Sequence, residues 1–381
     1  MPSFSARTAP LVLAVCVGAC SDAASKSLTA PTRAIDRALS SAPLANATIH
    51  DIPALVNHDV TGMNDSDEVS GDSGGRPFKW SPARGIQWLS TNGLLVAHTT
   101  SISNNGGVAG SAAAGDSNKI HGIVWLPNGT PRIFPLIADS INLPPELGGP
   151  SCSIAAINVH GQLVGNCVVK DGFSSPELFQ WHGPTISPPG VPEDDQVTSI
   201  SDDGWIGGGN TPAVFSTTEA FIASPTGQTI ILKNHENQET ATPSWVFAVT
   251  RHGWAAGTDF EGGCDQAVAW LAHPGQVYPE FRMGTCGQAT GITDDWYVVG
   301  TGIDAQQDRG SQWAFVWFPG PGLQRLPGLG TSGEFSVAIT VNAHHHVLGQ
   351  IAVGTTVHTV IWYVGPRSAT VASTASTAAT P

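Results

Sequence analysis

Ile157–Gly165 reads INVHGQLVG: an apolar residue, an Asn, a turn ending in Gly, and a returning apolar pair closed by a second Gly. The pattern recurs as Met63–Gly71 (MNDSDEVSG), Ile102–Gly110 (ISNNGGVAG), Ile200–Gly208 (ISDDGWIGG), Val249–Gly257 (VTRHGWAAG), Ile292–Gly300 (ITDDWYVVG) and Val341–Gly349 (VNAHHHVLG). Positions one and seven are apolar throughout, Ala255 being the smallest. Position two is always Asn, Ser or Thr, and position five is Gly in four of the seven copies. An Asn-x-x-Gly turn between apolar arms is the signature of a type I turn that closes a hairpin through a bulge. The closing Gly fits a strand near a crowded axis, where neighbouring backbones approach closely.

Successive closing glycines lie 39, 55, 43, 49, 43 and 49 residues apart. After each comes a variable polar loop and a second apolar motif: RPFKW ending at Trp80, HGIVW at Trp125, ELFQW at Trp181, QAVAW at Trp270, WAFVW at Trp317 and HTVIW at Trp362. In the fourth repeat the motif is EAFIA, with Ala223 in the Trp position. A turn such as PNG or PTG and a third apolar run follow. Three or four short strands per unit of this length make one propeller blade, and the Trp residues read as wedges between blades. The expectation is an all-β, seven-bladed β-propeller. Thr48–Leu55 (TIHDIPAL) resembles the third run of other repeats, and is expected to pair with the last blade and close the ring, since an open ring exposes two sheet edges. The alternative is completion by Ala369–Ala372.

The cassette and its HAFLW-like second motif resemble the HAF repeat of bacterial extracellular proteins, with copies from Val60 to Tyr363. That resemblance implies secretion and a propeller-like architecture, and implies no particular activity.

Composition agrees with many short strands and tight turns: of 381 residues, 44 are Gly, 28 Pro and 12 Trp, and only 12% are charged. A net charge of -14 argues against nucleic acid, whose phosphates need Lys and Arg, and disfavours anionic lipid surfaces and acidic polysaccharides.

The N-terminus reads as an export signal, residues 1–19, with Arg7 ahead of the apolar run Pro10–Ala19. This run is too short to span a membrane as a mature helix. Val17-Gly18-Ala19-Cys20 resembles a bacterial lipobox, which implies cleavage before Cys20 and a diacylglycerol on its sulfur; an ordinary cleaved signal is the alternative. The chain is then expected in the bacterial cell envelope, as an outer-membrane or surface lipoprotein held by its lipid alone. Residues 20–47, rich in Ser, Ala and Thr, read as a flexible tether, 48–366 as the propeller and 367–381 as a disordered tail.

Four cysteines remain. In an exported chain they argue for disulfides Cys152–Cys167 and Cys264–Cys286, with other pairings or free thiols open. A two-residue turn at Val159-His160 sets Cys152 opposite Cys167. A bulged turn at Gly161 shifts the register by one, so the strand start must then be irregular.

Strings that could carry chemistry mostly dissolve in this register. Gly71–Gly75 (GDSGG) matches a protease nucleophile motif, but only a tether and one strand precede Ser73, so no barrels supply its partners. His344-His345-His346 and the pairs Asp202-Asp203 and Asp294-Asp295 fall on cassette turns, where polar tips are the plainer reading than metal or calcium ligands. No residue is assigned a catalytic or metal-binding role, and no cofactor is expected. Binding is placed in the irregular loops Ile137–Ser151, Lys233–Ser244 and Ile303–Gln312, with Trp245, His235, Asp308 and Arg309 as contacts. The reading is a monomeric binding module for a protein or neutral glycan. The rivals are a propeller lyase or hydrolase, disfavoured by few Tyr, Lys and Arg, and a purely structural envelope protein.

Overall fold

The computed structural model of the protein describes residues 40–44, 47–113, 120–134, 151–168, 174–180, 191, 195–210, 219–232, 244–261, 264–273, 276–277, 281–303, 312–319 and 321–365. All belong to one compact unit, Asp36–Pro381. Apart from a single 3-10 turn at Pro53–Leu55, the regular structure is strand. Each cassette forms an antiparallel hairpin; the third pairs Ser151–Ile157 with Gln162–Val168, and the others repeat it. The second motif supplies the next strand outward, for example Arg76–Ser81, Ile120–Trp125 and Thr356–Val364. The fold is a β-propeller. The fifth and sixth hairpins share one nine-stranded sheet, because Cys264–His273 pairs with the long strand Phe281–Ile292.

The hairpin geometry follows from three cassette positions. The position-two carbonyl accepts the position-five N–H in all seven copies, Gly161 N–H to Asn158 O being the third. Position five then has positive φ every time: Gly106, Gly161, Gly204 and Gly253, but also Asp67 (56°), Trp296 (74°) and His345 (62°). This is the type I turn with a left-handed bulge residue. The Asn, Ser or Thr at position two is explained by its side chain: Asn158 Oδ1 accepts from His160 N–H and Gln162 N–H, at 3.1 and 3.0 Å. Asn64 and Asn342 do the same, an Asx-type lock on the turn.

The turn bulge shifts each register by one, and a second bulge restores it. Pairing skips Thr61, Thr100, Ala155, Thr198, Phe247, Thr290 and Ile339, one in each cassette's first strand. The strand start is therefore irregular, and beyond Ala155 the register brings Cys152 opposite Cys167, where they form a disulfide. Cys286 is also disulfide-bonded; the side chain of Cys264 lies outside the described ones.

The second bulge corrects the expected reason for the closing Gly. A Cβ on Gly257 would lie 1.8 Å from Trp245 O, and on Gly110 2.1 Å from His98 O. Gly71, Gly208, Gly300 and Gly349 each meet the carbonyl of the residue twelve places earlier in the same way. The pinched contact is within the hairpin, across its own bulge, not between neighbouring sheets at the axis.

Apolar clusters fill the spaces between adjacent sheets. Trp270 packs with Trp205 and Ile222 of the preceding sheet; Trp362 packs with Val316 and Phe318 of its predecessor. These tryptophans are wedges. Ala47–Asp51 pairs antiparallel with Thr356–Val364, Thr48 facing Tyr363; Ala369–Ala372 lies outside the described residues. Ser40–Pro43, assigned to the tether in the sequence reading, forms a strand parallel to Gly322–Arg325. Its low-complexity composition hides a segment that needs only backbone groups to extend a sheet edge.

Candidate functional site

The seven bulges converge on a central channel. Thr61, Thr100, Ala155, Thr198, Phe247, Thr290 and Ile339 all line a cavity of about 310 Å³, together with the apolar position-one residues such as Ile102 and Ile157. Bulge threonines also bind the next hairpin: Thr61 Oγ1 lies 2.8 Å from Thr99 Oγ1, and Thr290 Oγ1 donates to Ala338 O at 2.9 Å.

Above it the cassette turns frame a wider mouth of about 530 Å³, lined by Asp65, Asn104, Asp202, Arg251, Asp294 and Asp295 among others. These polar groups serve one another. Asp65 Oδ1 accepts from Ala343 N–H at 2.8 Å and Asn104 Oδ1 from Asp65 N–H at 3.0 Å. Asp202 Oδ1 accepts from Val159 N–H at 2.9 Å, and Arg251 Nε lies 2.6 Å from Asp294 Oδ2. Position three of one hairpin thus grips position three of the next. Asn64 Nδ2 donates to Ser103 O, Asn158 Nδ2 to Ser201 O and Asn342 Nδ2 to Asn64 O. Positions five and six repeat the theme: Trp254 packs at a tilt on Trp296 with ring centroids 4.4 Å apart, and Tyr297 stacks on His345 at 3.7 Å.

The three histidines part ways. His345 Nε2 lies 2.7 Å from Asp295 Oδ2 of the sixth hairpin, while His346 Nδ1 lies 2.8 Å from Asp67 Oδ1 of the first. Burial raises the Tyr363 hydroxyl pKa, and the Asp67 charge adds to the rise. Among the described residues no group of three or more His, Cys, Asp or Glu side chains could hold a metal ion. The GDSGG string is a strand end and a tight turn: Ser73 pairs with Arg76 across Gly74 and Gly75, both at positive φ. Its Asp72 is buried and lies 3.2 Å from His98 Nδ1.

The opposite face differs in chemistry. Trp88, Leu95, Val96, Ile120 and Phe335 are the exposed large hydrophobics among the described residues. All five sit at or near the strand ends away from the cassette turns; Val96, Ala113 and Ile120 form one rung across the second sheet. The insertions singled out from sequence depart from these same ends: Ser244 pairs with Asp259, and Ile303 with Gln312 and Cys286. Trp245 is half-buried, and a Cβ on Gly209 of the preceding hairpin would lie 2.6 Å from its ring. It packs between hairpins and joins none of the cavities above. His235, Asp308, Arg309 and Cys20 lie outside the described residues, so the four binding contacts are not brought together. Sequence reasoning missed the apolar rung because single apolar residues at strand starts carry no pattern.

No family model matches the sequence, and no curated protein matches it. Solved structures do. A puromycin hydrolase mutant complexed with PGG is similar with a TM-score of 0.54 at 12% identity, over 80% of this chain and 51% of that one. A chain of the mitotic checkpoint complex gives 0.50 at 14% identity, over 88% and 100%. The β-propeller domain of the Trilobed protease from Pyrococcus furiosus gives 0.48 at 10%, over 72% and 82%. At these identities the likeness is one of fold alone. Among the described residues no helix is long and apolar enough to cross a membrane.

Proposed function

We propose that the chain is an exported, lipid-anchored HAF-repeat propeller of seven blades, closed by Ala47–Asp51, that binds a protein partner through the face opposite its cassette turns. The observation that carries this reading is the gathering of the exposed large hydrophobics on that face, four of them on the first two sheets. The turns around the channel mouth offer a protein less, because Asp65, Asn104 and Asp202 each give a side-chain oxygen to a neighbouring hairpin. Closure is supported by the pairing of Thr48 with Tyr363 and by Asn342 and His346, which reach Asn64 and Asp67 of the first hairpin. A protein is favoured over a neutral glycan: the patch is mainly aliphatic, and the Arg76 guanidinium already lies over the face of its one tryptophan, Trp88, 4.1 Å from the ring centre. Export and anchoring rest on the Val17–Cys20 motif.

Two measurements test the reading. Cys20→Ser should release the protein from the membrane fraction and abolish its labelling by a fatty-acid probe; retention of the label would refute the anchor. Leu95→Asp should weaken capture of the envelope partner at least tenfold, about 1.4 kcal/mol, while Ala343→Asp on the turn face leaves capture unchanged. The reverse pattern would move binding to the turns.

A further inference from the structure

We propose that a groove on the turn face, between the first and second sheets, is a binding site for a small organic monocarboxylate held by Lys79 and Arg84. The groove measures about 510 Å³ and is lined by Glu68, Lys79, Arg84, Asn105, Pro82 and Pro127 among others, within the size range of small-molecule sites. It lies apart from both the channel and the apolar face.

Lys79 breaks the repeat. At its place in the second motif five of the other six repeats carry Val124, Ile222, Ala269, Val316 and Ile361, all fully buried or within 1% of it, and the third carries the uncharged Gln180. No other repeat places a charge here, and a buried ammonium costs desolvation that packing does not require. Its side chain is only 8% exposed. The contacts it makes are long: 3.2 Å to Gly106 O, 3.4 Å to Pro127 O and 3.7 Å to Glu68 Oε1. Ammonium–oxygen bonds of full strength are about 2.7–2.9 Å. Its three donors meet these three oxygens only at the longer distances, at the floor of an open groove.

The charge count selects the ligand. Lys79 and Arg84 against Glu68 leave one positive charge, on a chain whose net charge is -14. Glu68 is fixed by Asn64 Nδ2, 2.9 Å from its Oε2, so it does not leave to admit a dianion. One carboxylate balances the site. Arg84, exposed at the rim, offers a fork for its two oxygens, and Pro82, Ala83 and Pro127 wall the substituent.

The probe pair is N-acetylglycine and its amide, N-acetylglycinamide, titrated into the protein and followed by amide resonances. The acid should shift Glu68, Gly106 and Arg84 saturably; the amide should not. Lys79→Met should abolish the shifts while the thermal midpoint stays equal or rises, since five other repeats carry an apolar side chain there. Arg84→Gln, a surface change that spares the fold, should weaken binding about tenfold, the loss of one charge-assisted bond. Equal shifts with the amide, tighter binding of inorganic phosphate, no saturable shift in the wild type, or unchanged affinity in Arg84→Gln would each overturn the site. A Lys79→Met protein that loses its fold would make Lys79 a strut between sheets and overturn its assignment.

Discussion

At Gly257 the hairpin leaves no room for a side chain: the added carbon would meet Trp245 O at 1.8 Å. The carbonyl is fixed by the bulge at Phe247, which all other cassettes match, so the backbone cannot retreat without changing the register of the sheet. Gly257→Ala is expected to cost about 3 kcal/mol or more, by overpacking against backbone. Gly129 is the control. Its φ is +82° and nothing lies within 4 Å of the missing carbon, so Gly129→Ala should cost only about 1 kcal/mol of left-handed strain. Denaturant unfolding of the two variants separates steric from conformational demand; equal costs would remove the pinch as the cause. Glu334 supplies a second test at this scale. Burial alone would raise its pKa, but the Thr331 hydroxyl and the N–H groups of Thr331, Leu329 and Gly330 outweigh that and hold it below its ordinary value. A carboxyl so lowered stabilises the fold fully above the ordinary carboxyl range, and this is lost as pH falls through the lowered value. The group is half-buried at the surface, where solvent still screens it, so Glu334→Gln should cost less than about 1 kcal/mol at neutral pH and nothing in strong acid. A cost that persists in acid would show that packing, not charge, was removed.

The hairpin is the element whose form was most legible in the sequence. Alternation, the Asn, Ser or Thr at position two and the Gly at position five marked strands and turn correctly, because each encodes a local bond. Position five is also left-handed where it is Trp296 or His345, which no local rule foretells. There the ring packs against the neighbouring hairpin's Trp254 or Tyr297, and tertiary contact opposes the backbone preference. The candidate site was barely legible. Its apolar face collects single residues from separate strands, and Trp245, conspicuous in sequence, packs between hairpins. The third hairpin carries the element's own prediction. Cys152 and Cys167 are separated by 15 residues and buried in its core, so reduction of the bond should cost about 3 kcal/mol by releasing a closed loop in the unfolded chain. Cys152→Ala/Cys167→Ala unfolding curves check this; an unchanged midpoint would mean that the hairpin's packing alone fixes it.

For the whole molecule the decisive contact is the one furthest apart in sequence. Every hairpin but the last can be gripped by the next one along the chain. In the closed ring proposed above the seventh reaches back to the first; Asn342 donates to Asn64 O and Asp67, and Gln350 to His58 O. The chain before the first hairpin reinforces this return. Ser40–Pro43 lies on the edge of Gly322–Arg325, Ala47–Asp51 on the edge of Thr356–Val364, and buried Ile52 and Leu55 pack with Leu348 and Ile361. One short segment therefore straps two sheets to the first. Removing the chain through Asp51 would strip both strands while leaving every cassette intact. Val360–Val364 would then present five residues of unpaired, apolar edge. The truncated protein is expected to unfold at lower denaturant and to self-associate, because a second copy of that edge is the nearest substitute for the missing strand. Sedimentation and unfolding measurements on the same samples read both effects. A truncated protein that stays monomeric with an unchanged midpoint would show that the turn-face bonds suffice, and that the N-terminal strands cover a ring already closed.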